Sequence, residues 1–326
     1  MQPTHQHGGQ LKLASERYNI PLADWIDVST GINPTSYPLP AVPPDVWQRL
    51  PEVNDGLEAA ASAYYGSDAL LPVAGSQEAI QRLPLLRGHS RVGILSPAYH
   101  SHYQAWHSAG HEVVELSREQ LDSTLENLDV LLLVNPTNPT AERYSLETLH
   151  LWHAQLQQRG GWLVVDEAFI DLTPEQSLIQ SVPRPGLIVL RSIGKFFGLA
   201  GIRLGFVWAE PQILSALIQR QDDWSVSGPA RWAGRLALSD AQWQAKQRRE
   251  IPLMMAKLRV ALESKYQVNV CEAGLFAYVP MLENSAEKEY LRLCQQGVLC
   301  RLFPEQNALR FGLLDENASI DRLVSL

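Results

Sequence analysis

The stretch SIGKFFGLAGIRLGF, residues 192–206, is the segment that decides the fold. It places Lys195 in a glycine-rich run directly after an apolar, strand-like segment and among large apolar neighbours: Ile193, Phe196, Phe197 and Leu199. A lone lysine in a loop is usually a solvated surface residue. Here the apolar flanks predict a partly desolvated amine. Because desolvation disfavours the protonated form, such an amine is a competent Schiff-base nucleophile.

Short apolar runs alternate with helical patterns along most of the chain. The runs that predict strands are RVGILSP (91–97), DVLLLVNP (129–136), GWLVVDEAF (161–169), GLIVLRS (186–192) and GFVWA (205–209). The patterns that predict helices are 57–66, closed by Gly66, 98–110, closed by Gly110, and a helix capped by Ser145. This alternation predicts an α/β domain with a mostly parallel sheet between helices.

Polar residues follow four of the predicted strands at the point where each strand ends. They occupy the segments 96–99, 135–140, 166–169 and 192–195. Because ligands of such sheets bind at the carboxyl ends of the strands, we expect the four segments to form one site.

The composition is that of an ordinary globular protein with small-molecule chemistry. The chain has 326 residues, 45% hydrophobic and 19% charged, with a net charge of -8 at pH 7. An acidic balance disfavours nucleic acid as a partner. Three cysteines without a CxxC pair indicate reduced thiols. The N-terminus lacks the apolar run of a signal peptide, and no stretch reaches the roughly 20 apolar residues of a membrane span. We expect cytoplasmic residence and no membrane partner.

The organisation along the chain predicts three regions. A proline-rich stretch, 33–51, reads as an extended connector rather than a helix. After about residue 212 one long helical pattern is followed by short strands, which indicates an α+β lobe. The predicted regions are an N-terminal arm and connector, 1–40, packing with the small lobe, a large domain, 41–212, and a small C-terminal domain, 213–326.

Other motifs are informative mainly in combination. Asp166 ends a strand, and a buried carboxylate there needs a cationic partner, although a structural salt bridge is equally common. AGSQEAI (74–80) puts Gly75 and Ser76 before a helical pattern, a weak anion-site signal. NPTNPTA (135–141) holds Asn138 between prolines, where a plain turn is the alternative. Tyr99 follows a strand and a proline and is able to stack on a flat ring.

The histidines beside Tyr99 suggest no metal site. His100, His102 and His107 do not share one face of a helix, so their ring nitrogens are not expected to converge on one ion. We therefore expect no metal ligands in this chain.

Together, these segments resemble the fold-type-I enzymes of pyridoxal 5'-phosphate (PLP), the aspartate-aminotransferase superfamily, in residues and in order along essentially the whole chain. The resemblance implies that fold, PLP as cofactor and a homodimer. It implies that Lys195 carries PLP as a Schiff base, that Asp166 pairs with the pyridine nitrogen and that Tyr99 stacks on the ring, as the catalytic set. The remaining roles that it implies are Asn138 at the phenolic oxygen, Gly75, Ser76, Gln77, Ser192 and Arg203 around the phosphate, and Arg310 at the substrate α-carboxylate.

Within that superfamily, three segments are similar to the threonine-phosphate decarboxylases of cobalamin biosynthesis: HGGQLKLASERYNIPLADWIDVSTGINP (7–34), DEAFIDLTPEQS (166–177) and DDWSVSGPA (222–230). Two residues depart from related patterns. Phe169 stands where histidinol-phosphate aminotransferases usually have a tyrosine, so one hydrogen bond to the phenolic oxygen is absent. Ala141 replaces the glycine that commonly ends the asparagine motif, which concerns the turn geometry more than the chemistry.

The resemblance predicts decarboxylation of L-threonine O-3-phosphate to (R)-1-amino-2-propanol O-2-phosphate, the linker of cobalamin. One alternative is an aminotransferase for a phosphorylated amino acid such as histidinol phosphate, which the core motifs do not separate from a decarboxylase. Another is a non-catalytic PLP-binding regulatory module, which the complete lysine, aspartate and asparagine set disfavours. For the substrate phosphate we predict contacts from the N-terminal arm and the small lobe: His7, Gly8, Asn33 and Arg301. A frayed terminus is the plain alternative for His7.

Overall fold

The computed structural model describes residues 8–314 and 317–325 and divides the chain into two compact units. We call residues 36–138 and 142–244 the sheet unit, and residues 1–35, 139–141 and 245–326 the terminal unit. His7, one of the predicted substrate contacts, lies outside the described residues.

The helices of the described ranges are α1 (Leu11–Tyr18), α2 (Pro44–Gln48), α3 (Leu57–Tyr65), α4 (Ser76–Arg82), α5 (Ser101–Ser108), α6 (Arg118–Thr124), α7 (Leu146–Gln157), α8 (Ile193–Phe196), α9 (Pro211–Ile218), α10 (Gly228–Ser239), α11 (Ala241–Tyr266), α12 (Ala286–Gln295) and α13 (Asn317–Ser325). The strands are β1 (Ile26–Asp27), β2 (Leu70–Val73), β3 (Arg91–Leu95), β4 (Glu112–Leu116), β5 (Val130–Val134), β6 (Trp162–Asp166), β7 (Leu187–Ser192), β8 (Gly205–Trp208), β9 (Cys271–Glu272), β10 (Phe276–Pro280), β11 (Val298–Leu299), β12 (Arg301–Phe303) and β13 (Ala308–Gly312).

The sheet unit is built on a seven-stranded sheet in the order β2-β8-β7-β6-β5-β3-β4. Neighbours from β7 to β4 pair in parallel, and β8 pairs antiparallel with both β7 and β2. The central strands are mostly apolar because both faces are covered; every residue of β5, for example, is buried. The predicted mostly parallel α/β sheet is confirmed.

Local sequence signals explain where several helices of the sheet unit begin and end. Gly66 closes α3 in the left-handed conformation that glycine adopts without strain. The Ser145 hydroxyl accepts a hydrogen bond from the Thr148 amide at the start of α7, as a capping serine should. These predicted caps are confirmed.

Edge strands β2 and β4 and the short helix α2 are among the elements that the sequence analysis did not predict. β2 contains Pro72, which has no amide hydrogen and is tolerated because β2 pairs on one side only. β4 has glutamates at both Glu112 and Glu115, so it lacks the apolar run of a central strand. The connector 33–51 is largely irregular, but α2 interrupts it, since Pro44 is compatible with the first turn of a helix.

The terminal unit has the predicted α+β character. Its antiparallel sheet has the order β12-β13-β10-β9, and β1 pairs in parallel with β11. The division between the units differs from the predicted limit at residue 212, because residues 213–244 group with the sheet unit. Helix α10 explains this grouping: Gly234 packs against Leu57 of α3, and Arg231 pairs with Asp55 and Glu58. Among the described helices, none is both long and apolar enough to cross a membrane.

Candidate active site

The predicted polar segments lie along one edge of the sheet unit. Strands β7, β6, β5 and β3 are consecutive neighbours and run parallel, so their carboxyl ends face the same edge. The segments that follow these strands contain Tyr99, Asn138, Asp166 and Lys195. The expected gathering of strand ends is therefore present, as the topology of a parallel sheet requires.

The loop between β2 and α4 forms a cradle against Arg203. Gly75 has φ +73° and ψ 158°, a conformation open essentially to glycine alone, and a Cβ built on it would lie 2.6 Å from Arg203 Nη2. Gly205 allows a second close approach, because its Cβ would lie 2.6 Å from the Ser76 amide nitrogen. Glycine at these two positions thus brings the Arg203 guanidinium and the first turn of α4 together. Positive charge and helix N–H groups together favour a phosphate.

Arg203, which is predicted to bind the phosphate, has an unusual backbone conformation. It adopts φ +55° and ψ 57°, the left-handed region that side chains other than glycine rarely occupy. Its Nη1 donates to the Ala200 carbonyl at 3.1 Å. Strained conformations of this kind cluster at ligand sites, where surrounding structure enforces them.

Tyr99 and Gln77 are also brought into contact. The Tyr99 hydroxyl donates to Gln77 Oε1 at 3.2 Å, and its ring lies edge-on to His102 with centroids 6.1 Å apart. The hydrogen bond ties the predicted ring-stacking residue to the predicted phosphate loop.

His102 is the functional candidate that the sequence reasoning missed. Its Nε2 lies 3.0 Å from Asp166 Oδ2, and both side chains are almost fully buried. The second carboxylate oxygen, Oδ1, accepts the Ala168 amide at 3.1 Å. The pair fixes the orientation of Asp166. The available signal was helical spacing, since His102 and Trp106 share the buried face of α5.

Lys195 reaches towards the segment after Asp166. It sits in the short helix α8, partly buried, with Nζ 5.7 Å from the centroid of the Phe169 ring. A Cβ on Gly194 would lie 2.8 Å from Ala200 Cα, so glycine is needed for the tight fold of this segment. Asn138 and Ser192 are partly buried at the same edge of the sheet. Ala141, at the end of the asparagine motif, adopts φ +64°, the left-handed turn that a glycine would take without strain.

The terminal unit carries two arginines in direct register. Arg301 of β12 and Arg310 of β13 are cross-strand partners. Arg310 is buried, its Nη2 donates to the Ser29 carbonyl at 2.9 Å, and its Cζ lies 5.1 Å from the Phe276 ring centroid. Burial, and then the Arg301 charge, lower the pKa of Arg310 to about 9. The two opposed guanidiniums concentrate positive charge at this point of the small sheet.

The N-terminal segment is held against the same unit. The Gly9 amide donates to Ser29 Oγ at 2.8 Å, and a Cβ on Gly8 would lie 2.3 Å from the Ser29 carbonyl oxygen. Gly8, Ser29 and Arg301 line a cavity of about 460 Å³. Asn33 is buried and bonded within the fold: its Nδ2 donates to Gln247 Oε1, and its Oδ1 accepts a hydrogen bond from the backbone N–H of Thr35. Asn33 therefore helps to hold the fold. Its contact with substrate stays a prediction.

The fold agrees with what comparison with known proteins finds. Residues 49–325 match Aminotransferase class I and II, and the chain belongs to this family. A threonine-phosphate decarboxylase of Pseudomonas aeruginosa is 48% identical over 98% of this chain and 96% of its own length. A second, of a Sinorhizobium species, is 38% identical over 97% of this chain and 96% of its own length. The histidinol-phosphate aminotransferase of Sinorhizobium meliloti, solved with pyridoxal-5'-phosphate, superposes with a TM-score of 0.83 at 18% identity, covering 100% of this chain and 95% of that one.

The residues of the sheet unit fit a PLP molecule. The glycine cradle with Arg203 suits a phosphate group, the buried Asp166 carboxylate suits a protonated ring nitrogen, and the Lys195 amine suits an aldehyde. All three features lie on one edge of one sheet unit. We therefore take this edge as the candidate active site.

Proposed function

We propose that this protein is a PLP-dependent decarboxylase that converts L-threonine O-3-phosphate to (R)-1-amino-2-propanol O-2-phosphate. Within the family, the observation that carries the choice of substrate is the cross-strand register of Arg301 and Arg310. High identity to relatives named threonine-phosphate decarboxylase, over nearly the whole chain, supports the reaction type.

The arginine pair suits a substrate with two anionic ends. One guanidinium suits one carboxylate, whereas two guanidiniums at opposed positions suit two anionic groups held a few bonds apart. Threonine phosphate supplies a carboxylate and a phosphate a few bonds apart. We assign Arg310 to the α-carboxylate and Arg301 to the phosphate, because Arg310 is the more buried and a carboxylate carries the smaller charge to desolvate.

The sheet unit would hold the cofactor through its own side chains. Bound there, PLP supplies an electron sink for the pair of electrons left at Cα when carbon dioxide departs. Asp166 keeps a proton on the ring nitrogen by charge pairing, and His102 keeps Asp166 in place through the 3.0 Å contact. Lys195 would form the covalent link to PLP through Nζ. The same nitrogen would carry a proton during the reaction.

Orientation decides which bond to Cα breaks. A decarboxylase would have to present the Cα–carboxylate bond, and not the Cα–H bond, to the bound cofactor. Fixing the substrate at two charged ends removes the rotation that would exchange this bond for Cα–H. The carboxylate loses its charge as carbon dioxide forms, so Arg310 stabilises the bound substrate more than the transition state. Its contribution is therefore placement.

Product analysis tests the proposal directly. The purified protein, supplied with PLP, is incubated with L-threonine O-3-phosphate, and carbon dioxide and the phosphorylated amine are measured with and without 2-oxoglutarate. Stoichiometric carbon dioxide and amine, independent of 2-oxoglutarate, is the expected result. Glutamate formation that requires 2-oxoglutarate would indicate an aminotransferase instead, with histidinol phosphate as the next substrate to try. Bound PLP without reaction on either compound would indicate a non-catalytic module.

Three further parts of the proposal follow from the family resemblance. The product would serve as the linker in cobalamin biosynthesis, the enzyme would act in the cytoplasm, and it would work as a homodimer. Each stays a prediction.

A further inference from the structure

A buried polar network lies behind the candidate active site, on the opposite face of the sheet. Successive residues of a strand point to opposite faces, so Glu167 points away from Asp166 and Arg191 points away from Ser192. The β6–β7 ladder pairs Asp166 with Leu190, and the Glu167 amide continues it by donating to the Leu190 carbonyl at 2.9 Å. Glu167 and Arg191 are therefore neighbours on the far face. Both side chains are excluded from solvent.

Arg191 is the centre of this network. Its Nη2 donates to Asp171 Oδ1 at 2.6 Å and its Nη1 to Ser177 Oγ at 3.1 Å, while Nη1 lies 3.5 Å from Glu167 Oε2. Its Cζ also lies 4.7 Å from the centroid of the Tyr65 ring. One guanidinium thus joins β7, the segment after β6 and helix α3.

The carboxylates of the network bind further backbone and side-chain groups. Glu167 accepts the Ser177 hydroxyl and the Leu178 amide, and Asp171 accepts the Tyr64 hydroxyl at 2.8 Å. The segment 170–178, which follows Asp166, carries three of these partners, Asp171, Ser177 and Leu178, and is joined by them to Glu167 and Arg191.

We infer that Arg191 and Glu167 are positioning residues, which hold the ends of β6 and β7 in fixed relation so that Asp166 and Lys195 meet the cofactor correctly. The inference rests on the proposed function for the reaction it serves. Each of the two residues is one step along the backbone from a site residue or its segment, Glu167 from Asp166 and Arg191 from Ser192. A displacement of either strand end would therefore move a group that must be placed to within a fraction of an ångström.

Stability alone does not account for the network. Buried ion pairs are often no more stabilising than well-packed apolar residues of the same volume, because desolvating the charges opposes their attraction. Here two carboxylates share one guanidinium, and burial raises the pKa of Glu167 against the lowering effect of Arg191. Apolar side chains would fill this space without burying charge. The directional hydrogen bonds of the guanidinium, in contrast, fix the relative positions of the segments that they join.

The test compares two buried arginines of the sheet unit. Arg191→Met keeps an unbranched chain as far as the position of Nε and removes the guanidinium fork. Arg231→Met does the same for an arginine of α10 that is also buried and bonds Asp55 and Glu58 at 2.8 Å. Glu167→Gln, an isosteric change, is the second variant if Arg191→Met does not fold. For each holoenzyme we would measure the melting temperature, kcat and KM for threonine phosphate, the visible absorbance of bound PLP and its rate of dissociation.

Both methionine variants should have a lower melting temperature than the wild type. Only the variants of the network, Arg191→Met and Glu167→Gln, should change kcat and the properties of bound PLP. Arg191→Met and Glu167→Gln should lower kcat roughly 10- to 100-fold with little change in KM, the scale expected for misplacement of reacting groups. They should also shift the PLP absorbance band and speed PLP dissociation. Arg231→Met should leave kcat and the spectrum at wild-type values.

The inference would be overturned if folded Arg191→Met and Glu167→Gln had the same kcat and the same absorbance spectrum as Arg231→Met. The proposed function would still stand in that case. A wild-type protein that binds PLP without decarboxylating threonine phosphate would refute the proposed function. The absorbance band and PLP dissociation rate would then still decide whether Arg191 positions the cofactor site. A wild-type protein that forms no PLP adduct would overturn both.

Discussion

Arg301→Gln tests the assignment of the substrate phosphate. Arg301 is partly buried and faces Arg310 directly across the β12–β13 ladder, so its charge acts on the same surface as that of Arg310. Removing it should reduce kcat/KM for threonine phosphate, because the phosphate loses a charge-assisted partner. It should leave the PLP absorbance unchanged, because the cofactor residues belong to the sheet unit.

Two opposing terms set the size of the effect. Loss of hydrogen bonds to a charged group costs about 1.5–3 kcal/mol. Relief of the opposed-charge contact with Arg310 returns about 0.2–1 kcal/mol, the range for cross-strand pairs. The net loss of about 0.5–3 kcal/mol corresponds to a fall of roughly 2- to 100-fold in kcat/KM. For L-threonine, which lacks the phosphate, only the second term acts, so its rate should stay level or rise slightly.

The assay is release of carbon dioxide from both amino acids by wild type, Arg301→Gln and a charge-matched control, Lys288→Gln, on the exposed side of α12. The preference for threonine phosphate over threonine should collapse in Arg301→Gln only. The melting temperature is measured for each variant, so that a loss of folded protein is separated from a loss of substrate binding. Equal losses on both substrates, or an unchanged preference, would refute the assignment and direct the search for the phosphate ligand to the N-terminal segment.

Four further outcomes follow from the site. Lys195→Ala should lose turnover and the visible band of covalently held PLP; full activity would end the hypothesis that Lys195 carries the cofactor. Asp166→Asn should retain some PLP but lose roughly 10²–10³ in kcat, the usual scale of an electrostatic term in a transition state; a rate within about twofold of wild type would make Asp166 structural. His102→Phe should leave Asp166 Oδ2 without its 3.0 Å partner and slow the reaction while weakening PLP retention; unchanged kcat and PLP affinity would show that the contact is dispensable. Deletion of residues 1–9, which removes the Gly8 and Gly9 contacts with Ser29, should raise KM for threonine phosphate without altering the PLP spectrum; a normal KM would show that the segment is idle.

The sequence predicted the centre of the sheet better than its edges, for a physical reason. Buried strands such as β5 are continuous apolar runs, which few other structures produce. Edge strands need only one partner and one covered face, so β2 tolerates Pro72 and β4 tolerates two glutamates, and both look like loops. The compact units divide the chain elsewhere than at the predicted limit, residue 212, because packing of α10 on α3 depends on contacts between distant segments.

The residues of the candidate site also differ in how well the sequence could predict them. Lys195, Asp166 and the Gly75 loop have local signatures: a flanking pattern, a strand end and a glycine before a helix. His102 has only its helical spacing with Trp106, which fits a core residue equally well, because its contact is with a residue far along the chain. The Arg301–Arg310 pair depends on strand register, which a one-residue slip would abolish and which no short motif encodes.

The two outermost strands of the large sheet have a consequence for solubility. A sheet edge is a template on which another chain can add a strand, and long parallel sheets are exposed to this hazard while they assemble. Pro72 interrupts the row of amide donors along β2, and Glu112 and Glu115 place charge along β4. The proline and the glutamates that made these two strands hard to predict therefore also hinder a neighbouring molecule from adding a strand to the sheet.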